Sequence, residues 1–132
     1  MAVHRFQNPP TIHEPRGYTH VVEAAGPGRT IYISGQVGLT RDGKVAGDFR
    51  AQAEQSFENL KAALAAAGAG FEHVVKITSY FVDMSHLPVF RQVRDGHFDT
   101  SSPPASTAVQ IVKLAQAELL FEIEAIAVVP EK

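Results

Sequence analysis

Two glutamates lie two positions apart in an otherwise apolar run near the C-terminal end of the sequence. Glu122 and Glu124 alternate with Phe121, Ile123 and Ala125, so a strand here would direct both carboxylates to the same face. A carboxylate in a partly buried groove can have a raised pKa and act as a general acid or base. The alternative is that both glutamates are solvated or form ion pairs at an interface. The pattern alone leaves both interpretations open.

A second polar group lies in residues 30–39, where apolar and polar side chains alternate. Ser34 and Gln36 would project from one face of this strand, and Gly35 between them permits close approach to the backbone. Polar side chains on a buried strand require hydrogen-bond partners. A ligand, a loop or a neighbouring subunit could each supply them.

Two further positions could contribute to a cleft. Tyr18 stands where an irregular lead-in meets the first strand, and could offer its hydroxyl to a ligand or pack at a rim. Arg91 lies on a predicted helix, with Arg94 one turn later, and exposed helix arginines are usually only solvated.

Phosphate loops, nucleophile elbows and His-Glu zinc motifs are not found in the sequence. The six histidines show no ligand spacing on one element, so no metal site is expected.

These residues must be positioned by a small α+β domain. Residues 1–17 are predicted as an extended lead-in with a short strand near residues 3–6. Strands are predicted at residues 19–25, 30–39, 74–82, 106–113 and 119–129, and helices at residues 49–67 and 87–98. Gly35 and Gly38 predict a bulge or a close backbone approach within the second of these strands. Asp48 is predicted to cap the first helix, which Gly68 and Gly70 would end.

The order of elements predicts one mixed sheet with both helices on one face, in a single domain over residues 1–132. The other face of the sheet is partly apolar, and a chain of 132 residues has no third layer to cover it. We therefore expect the chain to oligomerise through the sheet.

Composition limits the classes of partner. The 12 basic and 14 acidic residues give a formal net charge of −2, and the basic residues are scattered, which argues against nucleic-acid binding. The sequence has no cysteine, which excludes a disulfide framework and cysteine catalysis. No apolar run matches a signal peptide or a membrane span, so we expect a cytoplasmic protein with no membrane partner.

Four sequence blocks occur in an order and at spacings that resemble a known family. They are Ile33-Ser34-Gly35-Gln36-Val37, Val75-Lys76-Ile77-Thr78, Pro104-Ala105 and the run from Phe121 to Val128. Over nearly the whole chain the sequence resembles the Rid family, also called the YjgF/YER or L-PSP family. The resemblance implies a chorismate-mutase-like, RidA-like α+β fold and a homotrimeric barrel with ligand clefts between subunits. It also implies hydrolysis of reactive enamines and imines such as 2-aminoacrylate.

The resemblance carries roles over to individual residues. Tyr18 matches the family's cleft tyrosine, and Ser34 with Gly35 matches its Ser-Gly-Gln strand. Glu122 matches the glutamate that positions the attacking water. Arg91 falls near the position of a cleft asparagine.

The block after Pro104-Ala105 departs from the family pattern. Ser106 stands where deaminating members carry an arginine that grips the substrate carboxylate, and Ala108 stands where many members have a cysteine, with Thr107 between them. A serine hydroxyl lacks the charge and the forked geometry of arginine, which argues against deamination of 2-aminoacrylate. Either Arg91 replaces that arginine or the ligand is not an α-carboxylate, and the second interpretation is favoured.

The expected function is binding of a small metabolite between the subunits of a homotrimer. Glu122 would hydrolyse or tautomerise a reactive enamine, imine or related carbonyl compound, with Tyr18, Ser34, Ser106 and Thr107 as contacts. No cofactor is implied, because imine carbons are already electrophilic. The alternative is a non-catalytic trimer that senses a metabolite or contacts another protein.

Overall fold

A four-stranded sheet with two helices on one of its faces forms the centre of the fold. The computed structural model describes residues 3–131. The elements in chain order are β1 (Val3–Gln7), β2 (Val21–Ala25), β3 (Gly28–Val37), α1 (Phe49–Ala66), β4 (Val74–Phe81), α2 (Leu87–Asp95), β5 (Ala105–Gln110) and β6 (Phe121–Pro130). Short 3-10 turns at Phe71–His73 and Met84–His86 precede β4 and α2. The predicted mixed α+β architecture is confirmed.

The four-stranded sheet has the order β3-β6-β4-β5. Strand β6 runs antiparallel to both β3 and β4, whereas β5 runs parallel to β4. Alternate residues of β6 are buried under the helices, namely Phe121, Ile123, Ala125, Ala127 and Val129. The period-2 alternation of the sequence therefore separates a core face from an open face, and Glu122 and Glu124 lie on the open face.

Helix α1 begins and packs as its sequence predicts. The Asp48 side chain accepts a hydrogen bond of 3.0 Å from the backbone N–H of Ala51, which satisfies one of the free donors of the first turn. Its apolar stripe, including Phe57, Leu60 and Leu64, is fully buried against the sheet.

Helix α2 ends earlier than its apolar periodicity predicts. The helix stops at Asp95, with Gly96 as its C-cap residue, although residues 87–98 continue the apolar spacing. Phe98 lies beyond the helix and is still buried in the core, which explains why the pattern extends past the true end. Glycine has low helix propensity, so the helix ends there.

The structure differs from the prediction in the pairing of the first strands. Val21–Ala25 does not join the four-stranded sheet but pairs antiparallel with Val3–Gln7 in a separate two-stranded sheet. Gly26 has a φ of +88°, and Pro27 offers no backbone N–H, so the chain turns between β2 and β3 without a continuous ladder. The lead-in thus contributes its own strand as the partner of β2.

A β-bulge interrupts β3 opposite β6. Ile33 pairs with Ala125 and Gln36 pairs with Ile123, so Ser34 and Gly35 together face the single residue Glu124. This confirms the bulge that the glycines predict. It brings the Ser34-Gly35 backbone next to the glutamates of β6.

The open face of the sheet carries both polar and apolar side chains. Tyr32 on β3 is 77% exposed, and Ile126 on β6 is half-buried. A trimer that covers this face stays a prediction.

Neither α1 nor α2, the helices of residues 3–131, combines the length and hydropathy that crossing a membrane requires.

Candidate functional site

Glu122 lies on the open face, beside the β3 bulge. In the sheet register it stands opposite Tyr80 on β4 and Val37 on β3. A Cβ atom built on Gly35 would lie only 2.1 Å from Oε2 and 2.5 Å from Cδ of Glu122. The carboxylate therefore occupies the space that any side chain at position 35 would need. The structure thus places Glu122 against Gly35, and Ser34 precedes Gly35 in the same bulge.

A second hydrogen-bonded group lies on the same face. The Tyr80 hydroxyl donates to Oε1 of Glu124, and Nζ of Lys76 donates to Oγ1 of Thr107 at 2.6 Å. The hydrogen bond to the Glu124 carboxylate raises the pKa of Tyr80 above its usual value, because it stabilises the neutral phenol. Burial lowers the pKa of the Lys76 ammonium, and the Glu124 charge acts in the opposite direction. Glu124 is thus engaged by its neighbours.

Four of the other predicted residues line a cavity at the β5 edge, on the helix side of the sheet. The cavity measures about 240 Å³, and we refer to it as the edge cavity. Its lining residues are Arg16, Tyr18, Leu87, Phe90, Arg91, Arg94, Ser106 and Ala108. The structure therefore brings together Tyr18, Arg91, Ser106 and Ala108.

Within one chain, the sheet separates the edge cavity from Glu122. Ser106 and Ala108 pair in register with Ile77 and Ser79, whose side chains are fully buried under the helices. Thr107 alternates with them and pairs with Thr78, so it belongs to the open face with Glu122. The candidate residues thus form two groups on opposite faces of the same sheet.

Hydrogen bonds hold Tyr18 at the edge cavity. Its hydroxyl lies 2.9 Å from Nε2 of His13, and the ring of His20 packs edge-on against it at 5.4 Å. The next residue, Thr19, ties the lead-in to the start of β5. Its N–H donates to the Pro104 carbonyl at 3.2 Å and its hydroxyl donates to the Pro103 carbonyl.

Arg94 also lines this cavity, although an arginine on a helix is usually exposed and only solvated. It is only 6% exposed, its Nε donates to Oδ1 of Asp95 at 3.0 Å, and its guanidinium carbon lies 5.5 Å from the Phe90 ring centroid. The spacing of positions 87, 90 and 94 places Arg94 on the apolar face of α2. That spacing is the signal that could have identified it.

Within residues 3–131, no three His, Asp or Glu side chains come close enough together to hold a metal ion.

Comparison with known proteins relates the whole arrangement to one family. Residues 11–129 match the family model described as Endoribonuclease L-PSP. The chain is 38% identical over 130 residues to protein DfrA of Myxococcus xanthus, covering 96% of this chain and 94% of that protein. It is 40% identical over 120 residues to the 2-iminobutanoate/2-iminopropanoate deaminase of Mus musculus, covering 89% and 87% respectively.

A solved structure agrees with the fold. The crystal structure of YyfB from Yersinia pestis, a protein of the conserved Rid family, superimposes with a TM-score of 0.82 at 34% identity, covering 94% of this chain and 97% of that one. The sequence blocks, the sheet order and these matches agree, and the chain belongs to the Rid (YjgF/L-PSP) family.

Proposed function

We propose that this chain binds a small reactive enamine, imine or related carbonyl metabolite and hydrolyses or tautomerises it, with Glu122 as the catalytic carboxylate. The observation that carries the proposal is the position of the Glu122 carboxylate, which lies against the glycine of the β3 bulge. The similarity to an imine deaminase supports imine chemistry.

The chemistry requires one carboxylate that exchanges protons with water. The Glu122 carboxylate takes a proton from a water molecule as the water oxygen bonds to the imine carbon. The imine nitrogen takes up a proton from solvent as the carbinolamine forms. Glu122 then returns its proton to that nitrogen, the C–N bond breaks with its electron pair on the leaving ammonia, and the carbinolamine hydroxyl loses its proton to solvent as it becomes the carbonyl. The products are a carbonyl compound and ammonia. For an enamine, proton transfer to the terminal carbon first generates the imine.

A complete cleft needs a second copy of the chain. Glu122 and the edge cavity lie on opposite sides of one sheet, so a ligand cannot contact both within a single chain. In a homotrimer the open face of one protomer would stand beside the edge cavity of the next. The exposed Tyr32 and the half-buried Ile126 on the open face support such an interface.

A non-catalytic role is the second candidate. Ser106 and Ala108 take the places where the resemblance implies an arginine and a cysteine, and that departure favours a trimer that only senses a metabolite or contacts another protein.

The test is turnover of imines that are generated in situ, the acids by an amino-acid oxidase and the neutral imine by an amine oxidase, with ammonia and carbonyl release as readouts. A panel of 2-aminoacrylate, 2-iminobutanoate and a neutral imine should include at least one compound that the protein accelerates. Glu122→Ala should reduce that rate to the uncatalysed level. Glu124→Gln, on the same strand and face, is the matched control and should keep most of the rate.

Two outcomes would contradict the proposal. Full activity in Glu122→Ala would remove its catalytic role. No acceleration of any imine, together with ligand-induced thermal stabilisation, would favour the non-catalytic candidate.

A further inference from the structure

The proposed reaction needs a proton that Glu122 does not supply. While Glu122 holds the proton of the attacking water, the imine nitrogen takes up a different proton as the carbinolamine forms. The donor for that step has to contact the ligand on one side and exchange protons with solvent on the other. Two residues with hydroxyl groups line the edge cavity, Tyr18 and Ser106.

The charge of the edge cavity favours proton delivery after the ligand is bound. The lining includes Arg16, Arg91 and Arg94, and none of the described residues that line it is acidic. Such a lining repels an iminium cation that is already protonated, whereas the neutral imine carries no charge to repel. The proton therefore has to reach the imine nitrogen inside the cleft, from a group that is itself neutral.

Tyr18 has a titratable partner at its hydroxyl. The Tyr18 oxygen lies 2.9 Å from Nε2 of His13. The His13 side chain is exposed, and Tyr18 is half-buried. Ser106, in contrast, lies in β5 opposite the fully buried Ile77. The pair of His13 and Tyr18 thus extends from solvent to the lining of the edge cavity.

His20 holds this pair in place. Its Nε2 lies 2.7 Å from the His13 carbonyl oxygen, which can only accept, so His20 is the donor. The His20 ring packs edge-on against the ring of His13 at 4.9 Å and against the ring of Tyr18 at 5.4 Å. Its backbone N–H donates to Oδ1 of Asn8 at 2.8 Å. The relative position of the two rings is therefore fixed by the lead-in itself.

We propose that His13 and Tyr18 form a proton relay from solvent to the nitrogen of the bound imine. The Tyr18 hydroxyl gives its proton to that nitrogen while its oxygen accepts the Nε2 proton of the His13 imidazolium, so the phenol stays neutral. The neutral imidazole then regains a proton from solvent. One proton is taken from solvent and one reaches the nitrogen. The inference rests on the proposed function, and His13 is a positioning residue that acts only through Tyr18.

The first test compares kcat and KM for imine hydrolysis in the wild type, His13→Ala and His13→Gln. Loss of the relay should lower kcat by about a hundredfold and change KM by less than about twofold. Glutamine keeps a neutral N–H donor for the Tyr18 oxygen but has no transferable proton, so His13→Gln should be as slow as His13→Ala. A glutamine variant with the wild-type kcat would show that His13 only orients Tyr18, and would overturn the relay.

His4→Gln is the matched control for these variants. His4 is another histidine of the N-terminal segment, its Nε2 lies 3.1 Å from the Val128 carbonyl oxygen, and it is not part of the edge-cavity lining. This variant should keep the wild-type kcat. An equal loss in His4→Gln would mean that any change in the N-terminal segment slows the reaction, and would overturn the specific role of His13.

Added imidazole provides a readout that a purely structural role would not change. Because position 13 is exposed, free imidazole can take the place of the missing ring in His13→Ala. The kcat of this variant should rise by about tenfold or more with imidazole, within the range of general acid catalysis. The wild type and Tyr18→Phe should not respond. No rescue of His13→Ala, or equal rescue of Tyr18→Phe, would overturn the relay.

The pH profile tests the same step independently. Histidine is the side-chain type that changes charge near neutral pH, and the relay needs its protonated form, so kcat should fall as the pH rises above neutrality. His13→Gln should lose this alkaline limb, and His20→Gln should keep it. The reverse pattern would assign the titration to His20 and overturn the relay. The other charged groups near the pair are Glu14 on the lead-in and Arg16, Arg91 and Arg94 at the cavity.

The combined results separate this inference from the proposed function. Slow hydrolysis in both the His13 and the Glu122 variants would support both. Hydrolysis that requires Glu122 but not His13 would support the enzyme and overturn the relay. Hydrolysis that requires His13 and Tyr18 but not Glu122 would support the relay and contradict the role of Glu122. A wild type that hydrolyses no imine would contradict both.

Discussion

The Glu122 carboxylate lies where a side chain at position 35 would have to be. A Cβ atom on Gly35 would approach Oε2, Cδ and Cγ of Glu122 to 2.1, 2.5 and 2.9 Å. Gly35 does not have a positive φ, so glycine is needed here for space and not for backbone conformation. The obstructing atoms are at the mobile end of a long side chain, which means that a methyl group would displace the carboxylate before it displaced the strand.

Gly35→Ala should therefore separate catalysis from stability. We expect imine hydrolysis to fall by about a hundredfold, since a displacement of about 1 Å of a reacting group can have that effect. The melting temperature should change little, because the strand keeps its pairing. Turnover and thermal unfolding of the same preparation are the measurements. An alanine variant with wild-type turnover would show that the carboxylate does not need this position.

At the scale of the elements, local patterns predict more than long-range pairings do. Helix α1 was predictable because an N-cap, an apolar stripe and terminal glycines all occur within one stretch of sequence. The end of α2 was not, since Phe98 continues the apolar spacing after the chain has left the helix. The short strand of the lead-in is predicted, but its pairing with β2 is not, because no local pattern in either segment specifies the partner strand.

The same distinction applies to the candidate site. The face of Glu122 follows from strand alternation, and the bulge follows from the glycines of β3. Arg94 is buried against Gly17, which is distant from it in the sequence. From the sequence alone, an arginine on a helix is expected to be exposed. The division of the site between two sheet faces depends on the parallel register of β4 and β5, which no local pattern specifies.

The cap of α1 offers a test at this scale. Asp48→Ala removes the acceptor of the 3.0 Å hydrogen bond from Ala51, so we expect the free energy of unfolding to fall by about 1 kcal/mol. Asp42→Ala is the control, because its contact with Lys44 at 3.8 Å is exposed and should change stability by less than about 0.5 kcal/mol. Urea denaturation gives both values. Equal losses would mean that the cap contributes no more than a surface charge.

At the scale of the whole molecule, the two candidate groups lie on opposite faces of one sheet, and a site that uses both would require assembly. Glu122 faces away from the edge cavity that holds Arg94. If a neighbouring protomer completes each cleft, catalysis becomes a property of the interface. A dissociated chain would then retain its fold and its edge cavity but lose its turnover.

Mixing two inactive variants tests this arrangement. Glu122→Ala and Tyr18→Ala should each hydrolyse imines slowly, but subunit exchange between them should restore part of the activity, because some clefts then combine an intact Glu122 with an intact Tyr18. Mass measurement of differently tagged chains verifies the exchange. Tyr32→Glu, which adds a charge to the open face, should prevent assembly and recovery. Verified mixed oligomers without recovery would contradict a shared cleft.

The sheet order β3-β6-β4-β5 also has a consequence for how the chain acquires its fold during synthesis. Strand β6 is made after β3, β4 and β5, yet it lies between β3 and β4 and pairs with both. Until it emerges from the ribosome, β3 and β4 have no common partner, and their unpaired edges can join other nascent chains. Such non-local pairing slows folding and prolongs exposure to aggregation. The strand that carries Glu122 is therefore also the strand on which completion of the sheet depends.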